Sequence, residues 1–532
     1  MVVVISLDFK TVYKAEVPED YFDLISKYPK NQLLQRLSFL SGKADEYLHA
    51  LLDSNEEATH LKYLEMFVLS PKFLAGVIDA LKPPQGALVV AYSRETILYA
   101  MEEILLSNLP DGAVDEVVYE QFTIDVFNYL LCLNGLYFKA ENLKDDSTLE
   151  EFNASLLPAN NIPDYNAFTC CIKGVRLIRF LMEDPTYLEL VKGYFKREYS
   201  CSVEQYLGFY LRWGLIESSA VSIDAEDPEY PIFKKLAASS NSGRDVQKLT
   251  SVRISPVYQV SANEFVILDK AFFVGKIYYQ FVYEFWFSCV KKAKPKIAAE
   301  VYFSKIGRFF EQYCAELFNM VFSFLRHPAP LSLDQLVYIS GDGEKEMIDY
   351  YARENRKLVI AEFKQGNLND EDRYSGTIEG LYSNGEDTFF KNLTQLDNVI
   401  SQLDLLQEKF DRKLEKGRRL TIYPVCVLND PIYEFPTMKI AFAKKWELLR
   451  IKHTHLDVRP LAIFQVEELE NLVYRLVPNR RGKEIWQVLK VYCRIDGQHR
   501  AFNLSALDEC KLDYHTGMDE ELQGYMDSYV SN

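Results

Sequence analysis

IDYYARENRKLVIAEFK, residues 348–364, is the stretch on which the fold turns. Leu358, Val359, Ile360 and Ala361 form an unbroken apolar run, as a central strand covered on both faces would. Glu362-Phe363-Lys364 follow at once. Residues two apart in a strand share a face, about 7 Å apart, so Glu362 and Lys364 emerge together at the end of the strand. Charges placed there are costly unless they are paired or used. Upstream, Asp349 stands alone between Ile348 and Tyr350, and an antiparallel hairpin can bring it beside Glu362. Two carboxylates on one sheet face repel each other, and a divalent cation relieves that repulsion. Hard oxygen ligands of this kind suit Mg2+ or Mn2+ rather than zinc.

Working outward, the patterning predicts a helix over 299–325, then strands at Leu336–Ile339, about Lys345–Arg353 and Leu358–Phe363. Gly341-Asp342-Gly343 reads as the first hairpin turn; it lacks the Lys-Ser/Thr ending of a phosphate loop. A polar loop over 366–385 leads to a helix over about 387–410, and apolar strands follow at Leu420–Leu428 and Leu461–Val466. On the first helix, Glu311 falls among Gly307, Cys314, Ala315 and Phe318, on the inward side. Glu316 falls with Lys305, Arg308, Gln312 and Asn319 on the polar side. On the second helix the apolar arc is Leu393, Leu396, Ile400 and Leu403. Gln395 sits on its flank with Lys391 and Gln402.

Glu on a first helix, Asp, Glu-x-Lys on adjoining strands and Gln on a second helix together resemble the PD-(D/E)XK nuclease superfamily. The resemblance covers about 299–470 and implies a restriction-endonuclease-like αβββαβ core. It implies that Asp349 and Glu362 hold Mg2+ (or Mn2+), assisted by Glu311, and that Lys364 orients or activates the attacking water. Gln395 would support the site and the substrate backbone. Ile348 stands where the family's name places Pro, and the 365–386 loop is unusually long. The implied reaction is Mg2+-dependent hydrolysis of a phosphodiester, in DNA rather than RNA, by water attack without a covalent intermediate. By analogy, a large single-chain nuclease with a helical half looks like a prokaryotic restriction or phage-defence effector. The alternative is a non-enzymatic interaction or scaffold protein on an inactive nuclease fold.

The rest of the chain sets the context. Its 532 residues, 48% hydrophobic, predict several domains: a helical regulatory or interaction domain over 1–225, a hairpin, helix and linker over 226–298, the nuclease domain over 299–475 and an extension over 476–532. Apolar residues recur at helical spacing in 60–82, 95–108, 120–138, 170–195 and 203–217, with turns at 83–86 and 110–112 and a loop over 145–165. MVVVISLDFK reads as a strand, not a leader. Asp224 to Gly243 is polar and expected to be mobile. Helices followed by the hairpin after it (Val257–Val260, Phe265–Asp269) fit a DNA-binding winged-helix-like module or a plain helical interaction domain, and an aromatic-rich helix over about 271–290 comes next. Lys291 to Lys296 reads as a hinge. Nine scattered cysteines without CxxC fit reduced thiols, and His453 with His455 reads as a surface loop. No stretch is long and apolar enough for a bilayer, so a cytoplasmic protein is expected, with a homo-oligomer or partner protein engaged through the helical half. A net charge of −17 confines nucleic acid to a local basic strip. Lys391, Arg412, Lys413, Arg418 and Arg419 are its candidates.

Overall fold

The first strand forms where MVVVISLDFK places it. In the computed structural model, β1 (Val3–Ser6) pairs in parallel with β2 (Ala87–Val90). The structure describes residues 3–53, 57–82, 87–112, 119–137, 162, 165–237, 246–326, 328–341, 343–366, 390–414, 419–434, 436–476, 484–493 and 517–530. The turn expected over 83–86, nearly all of the 145–165 loop and most of the 366–385 loop lie outside these.

Between β1 and β2 run α1 (Lys30–Asp53), α2 (Glu57–Leu64) and α3 (Pro71–Ala80). Helix α1 has no counterpart among the sequence expectations, although Leu33, Leu37, Leu40, Ala44, Tyr47 and Leu51 mark its buried stripe. The expected 60–82 helix is divided because Ser70 caps a new start with Pro71 at its first position. Helices α4 (Arg94–Leu106), α5 (Tyr119–Tyr137) and α8 (Val203–Trp213) follow as predicted, whereas the expected 170–195 helix is divided into α6 (Ala167–Glu183) and α7 (Pro185–Glu198), because Asp184 caps a new start with Pro185 at its first position. Next come β3 (Ala220–Ser222), α9 (Tyr230–Leu236), α10 (Thr250–Ile254), β4 (Val257–Gln259) and β5 (Glu264–Ile267). The strands form an antiparallel sheet in the order β3-β5-β4. The stretch expected to be mobile instead holds α9, which buries Ile232, Phe233 and Leu236. Helix α10, which a winged-helix module would present to DNA, packs on α4. The amides of Ser251 and Val252 at its start both donate to the buried Glu102 carboxylate at 2.9 Å.

The chain divides into two compact units, residues 526–530 falling with the N-terminal one, and the main boundary lies between Phe281 and Val282. It lies inside α11 (Tyr279–Ser288). Residues 282–298 belong with the C-terminal unit, where Trp286 stacks on Tyr302 of α12 (Ala299–Phe322) and Tyr302 Oη donates to the Val282 carbonyl. After α12 come β6 (Leu331–Ser332), β7 (Val337–Ser340), β8 (Gly343–Glu346), β9 (Tyr350–Glu354) and β10 (Lys357–Lys364). The expected 345–353 strand is two strands: β8 pairs only with β7, while β9 joins the main sheet. Gly343 takes φ +113° at the hairpin turn, a conformation that favours glycine. Then follow α13 (Lys391–Ser401), α14 (Leu403–Lys409), β11 (Thr421–Leu428), α15 (Pro436–Arg450), β12 (Asp457–Val458), β13 (Ala462–Gln465), α16 (Val466–Leu476) and α17 (Ile485–Tyr492).

The main sheet runs β6-β9-β10-β11, with β12 and β13 on the far edge of β11. β9 and β10 are antiparallel, whereas β10 and β11 are parallel. A parallel pair needs a crossover, and α13 and α14 provide it. Leu358, Ile360, Cys426 and Leu428 on one sheet face share a core with Leu393, Leu396 and Ile400 of α13 and with Phe442 and Trp446 of α15. On the other face Tyr350 and Phe363 meet Phe318 of α12, and Tyr423 meets Trp486 of α17. The unit therefore extends past 475. No described helix is long and apolar enough to cross a membrane.

Candidate active site

Glu362 and Lys364 leave β10 on the α13 side, together with Leu358 and Ile360. The β9–β10 ladder ends at Tyr350 opposite Ala361, and one step further Asp349 comes opposite Glu362. Asp349 lies just before β9, because its side chain takes the next amide: Asp349 Oδ2 accepts from Phe363 N at 2.6 Å. Lys364 Nζ lies 3.0 Å from Glu362 Oε2 and 3.9 Å from Asp349 Oδ2. Asp349 is 4% and Glu362 1% exposed, so two carboxyls meet almost out of water beside the half-buried Lys364.

The electrostatics follow from that burial. Burial pushes the Asp349 carboxyl up, against the pull of Lys364 and the Phe363 amide. Glu362 is raised by burial and by the Asp349 charge, against Lys364. Burial alone would lower Lys364, but Glu362 and Asp349 outweigh it and hold the ammonium above its usual range. Glu362 Oε2 lies 3.0 Å from the Lys364 ammonium, its ion-pair partner and hydrogen-bond donor.

Glu311 reaches the cluster from α12, about 10 Å along the helix from Phe318. Its pKa is pushed up to about 7 by burial and by the charges of Asp349 and Glu346. Glu316 is exposed, on the polar side as expected. Gln395 is half-buried on α13, and its Oε1 is buried without a hydrogen-bond partner.

Two participants escaped the sequence reading. Arg308, placed there on the solvated face, sends Nη1 to within 3.5 Å of Glu311 Oε2 and 4.0 Å of Glu346 Oε1, and Nη2 to Asp334. Glu346, at the end of β8, is raised by burial and by Asp349. Four carboxylates here face two cations, and burial raises the pKa of all four.

The basic candidates separate. Lys391 is exposed at the first position of α13. Arg412, Lys413 and Arg419 are also exposed but lie at the other end of the sheet, and Arg418 is outside the described residues. Asp411 receives the guanidinium of Arg353 and the Tyr351 hydroxyl, and Thr421 N donates to the Arg356 carbonyl. That end of β10 is about 20 Å from Lys364 at strand spacing. A crossover helix returns the chain to the start of the next parallel strand, so residues after it sit opposite the site. His453 is buried, not a solvated loop residue, and its Nε2 lies 2.7 Å from Asp397 of α13. All eight described cysteines are free and buried.

Among the described residues, no three acidic, histidine or cysteine side chains stand close enough to form a metal cage. The donor chemistry still fits one hard cation, because Mg2+ is commonly held by one or two carboxylates and completes its shell with water and substrate phosphate. Glu362 Oε2 and Asp349 offer that pair. No protein-family model, curated protein or solved structure matches this chain.

Proposed function

We propose that the C-terminal unit is a PD-(D/E)XK-like nuclease core that hydrolyses phosphodiester bonds, DNA in preference to RNA. The observation that carries this reading is the meeting of Asp349, Glu362 and Lys364 in one buried site with Glu311 beside it. Asp349 and Glu362 would hold Mg2+ or Mn2+, which when bound polarises the phosphate and acidifies a water. Lys364, kept charged by both carboxylates, positions the attacking water and offsets charge as it builds on the phosphate. Glu311, titrating near neutrality, is suited to accept a proton there. Gln395 and the exposed Lys391, on the helix that covers the site, would steady the substrate backbone. The helical N-terminal unit would sense a target, regulate cleavage or bind a second copy or partner protein, as in a restriction or phage-defence effector.

The purified full chain should degrade plasmid or single-stranded DNA with Mg2+ or Mn2+, and chelation should stop it. Glu362→Ala and Lys364→Ala should each lower the rate by at least about 100-fold with secondary structure retained. Undiminished cleavage by either variant would falsify the site. One observation favours a second reading: Lys364 itself closes an ion-pair cluster with the two carboxylates. In a scaffold built this way no nucleic acid is cut under any metal, and Lys364→Ala chiefly lowers thermal stability.

A further inference from the structure

Helix α13 carries an anomaly in its first turn. Asn392 is 1% exposed, and its Oδ1 is buried with no hydrogen-bond partner. At 100° per residue Asn392 lies between Leu396 and Val399, inside the buried arc. An apolar side chain would complete that stripe. Gln395, one turn on, likewise buries an unpartnered Oε1. A buried polar atom left unpaired costs stability, so a carboxamide retained here points to a partner that arrives from outside.

Two features place Asn392 over the sheet face that carries the acidic cluster. The apolar face of α13 packs on the sheet face from which Glu362 and Lys364 project, through Leu393 and Leu396 against Ile360, Cys426 and Leu428. Asp411, just past α14, is held by Arg353 at the Lys357 end of β10, so α13, at the other end of this helix pair, starts toward the Lys364 end of the strand. Two buried amide oxygens without a hydrogen-bond donor (Asn392 Oδ1 and Gln395 Oε1) thus belong to the helix that covers the sheet face of Glu362 and Lys364. Both are acceptors, which a hydrated cation satisfies, since its waters present hydrogens outward.

We infer that Asn392 is a positioning residue of the cation site. Its carboxamide oxygen accepts from the hydration shell of a divalent ion held by Asp349 and Glu362. The inference rests on the cation reading above but assigns a residue outside it. Outer partners of metal ligands typically contribute 10- to 100-fold in affinity.

The test is Mn2+ binding to the full chain by calorimetry, without nucleic acid, beside thermal melts of the metal-free protein. Asn392→Leu, branched at the same carbon, should weaken Mn2+ binding about tenfold while raising the metal-free Tm by about 2–4 °C. Asn392→Asp, which keeps an oxygen at the position, should bind Mn2+ at least as tightly as the parent. If Asn392→Leu overpacks and lowers the Tm, Asn392→Ala carries the binding comparison in its place. A parent that binds Mn2+ with unchanged affinity in the Leu and Ala variants overturns the role of Asn392 alone. A parent that binds no Mn2+ overturns the cation site and this inference together.

Discussion

A carboxyl held partly out of water beside other carboxylates gives up its proton late, and Glu311 does so near pH 7 instead of 4.5. Below pH 4.5 it is protonated whether the chain is folded or not, so it makes no difference to stability. Above 7 it is ionised in both states, and only the folded state bears the cost of burial and repulsion. Stability should therefore fall as pH rises through this window. Glu311→Gln should stabilise the metal-free protein by up to about 3 kcal/mol at pH 8 and by nothing near pH 4.5. Melts of both proteins from pH 4.5 to 8 measure this, and a constant difference would remove Glu311 from the acidic cluster. Asp349, Glu362 and Lys364 were legible in the sequence because the signal is local: charge intrudes on an apolar strand, and alternation fixes its side. Glu346 was not, since it ends a run of polar residues that any exposed hairpin carries. The wheel that picked out Glu311 would have found Asn392 between Leu396 and Val399 had it been applied to buried amides as well as charges.

Among the elements, the β7–β8 hairpin stands on few anchors. Two-stranded hairpins are marginal alone, and every residue of β8 is exposed. Its anchors are the Met347 amide on the Leu336 carbonyl at 2.9 Å, the Tyr338 ring on Phe410, and Arg308 reaching Glu346. Arg308→Ala should quicken amide exchange over 337–346 about two- to fivefold and leave 357–364 unchanged. Equal exchange in the two proteins would mean that the arginine does not hold the hairpin. Helix existence was mostly readable from spacing, and α1 and α15 carry readable stripes of their own. Element ends were less so. The break at Gln402 between α13 and α14, and the loss of strand at 347–349, reflect tertiary contacts that no local pattern encodes. The parallel pairing of β1 with β2 joins residues more than 80 apart, again beyond periodicity.

Over the whole molecule, charge and topology together decide where an acidic polymer can lie. A net charge of −17 gives no long-range attraction, so each phosphate contact must come from a cation near the site. The basic run after α14 looked suitable because it follows Gln395 in sequence. The parallel crossover instead carries Arg412, Lys413 and Arg419 to the opposite end of β10, where Asp411 is tied to Arg353. Lys391 opens α13, at the other end of the helix pair from Asp411 and so toward the Lys364 end. Counterion release makes the slope of log affinity against log salt count phosphate contacts, at about 0.9 per contact for duplex DNA and 0.7 for single strands. Lys391→Ala should therefore reduce that slope by about one unit, while Arg412→Ala with Lys413→Ala should leave it unchanged. Binding should be titrated at several ionic strengths with Glu362→Gln present in every protein, so that substrate survives. A slope that drops with the double variant and holds with Lys391→Ala would place the nucleic acid at the far end of the sheet, away from Asp349 and Glu362, and the proposed site would then have no substrate to cut.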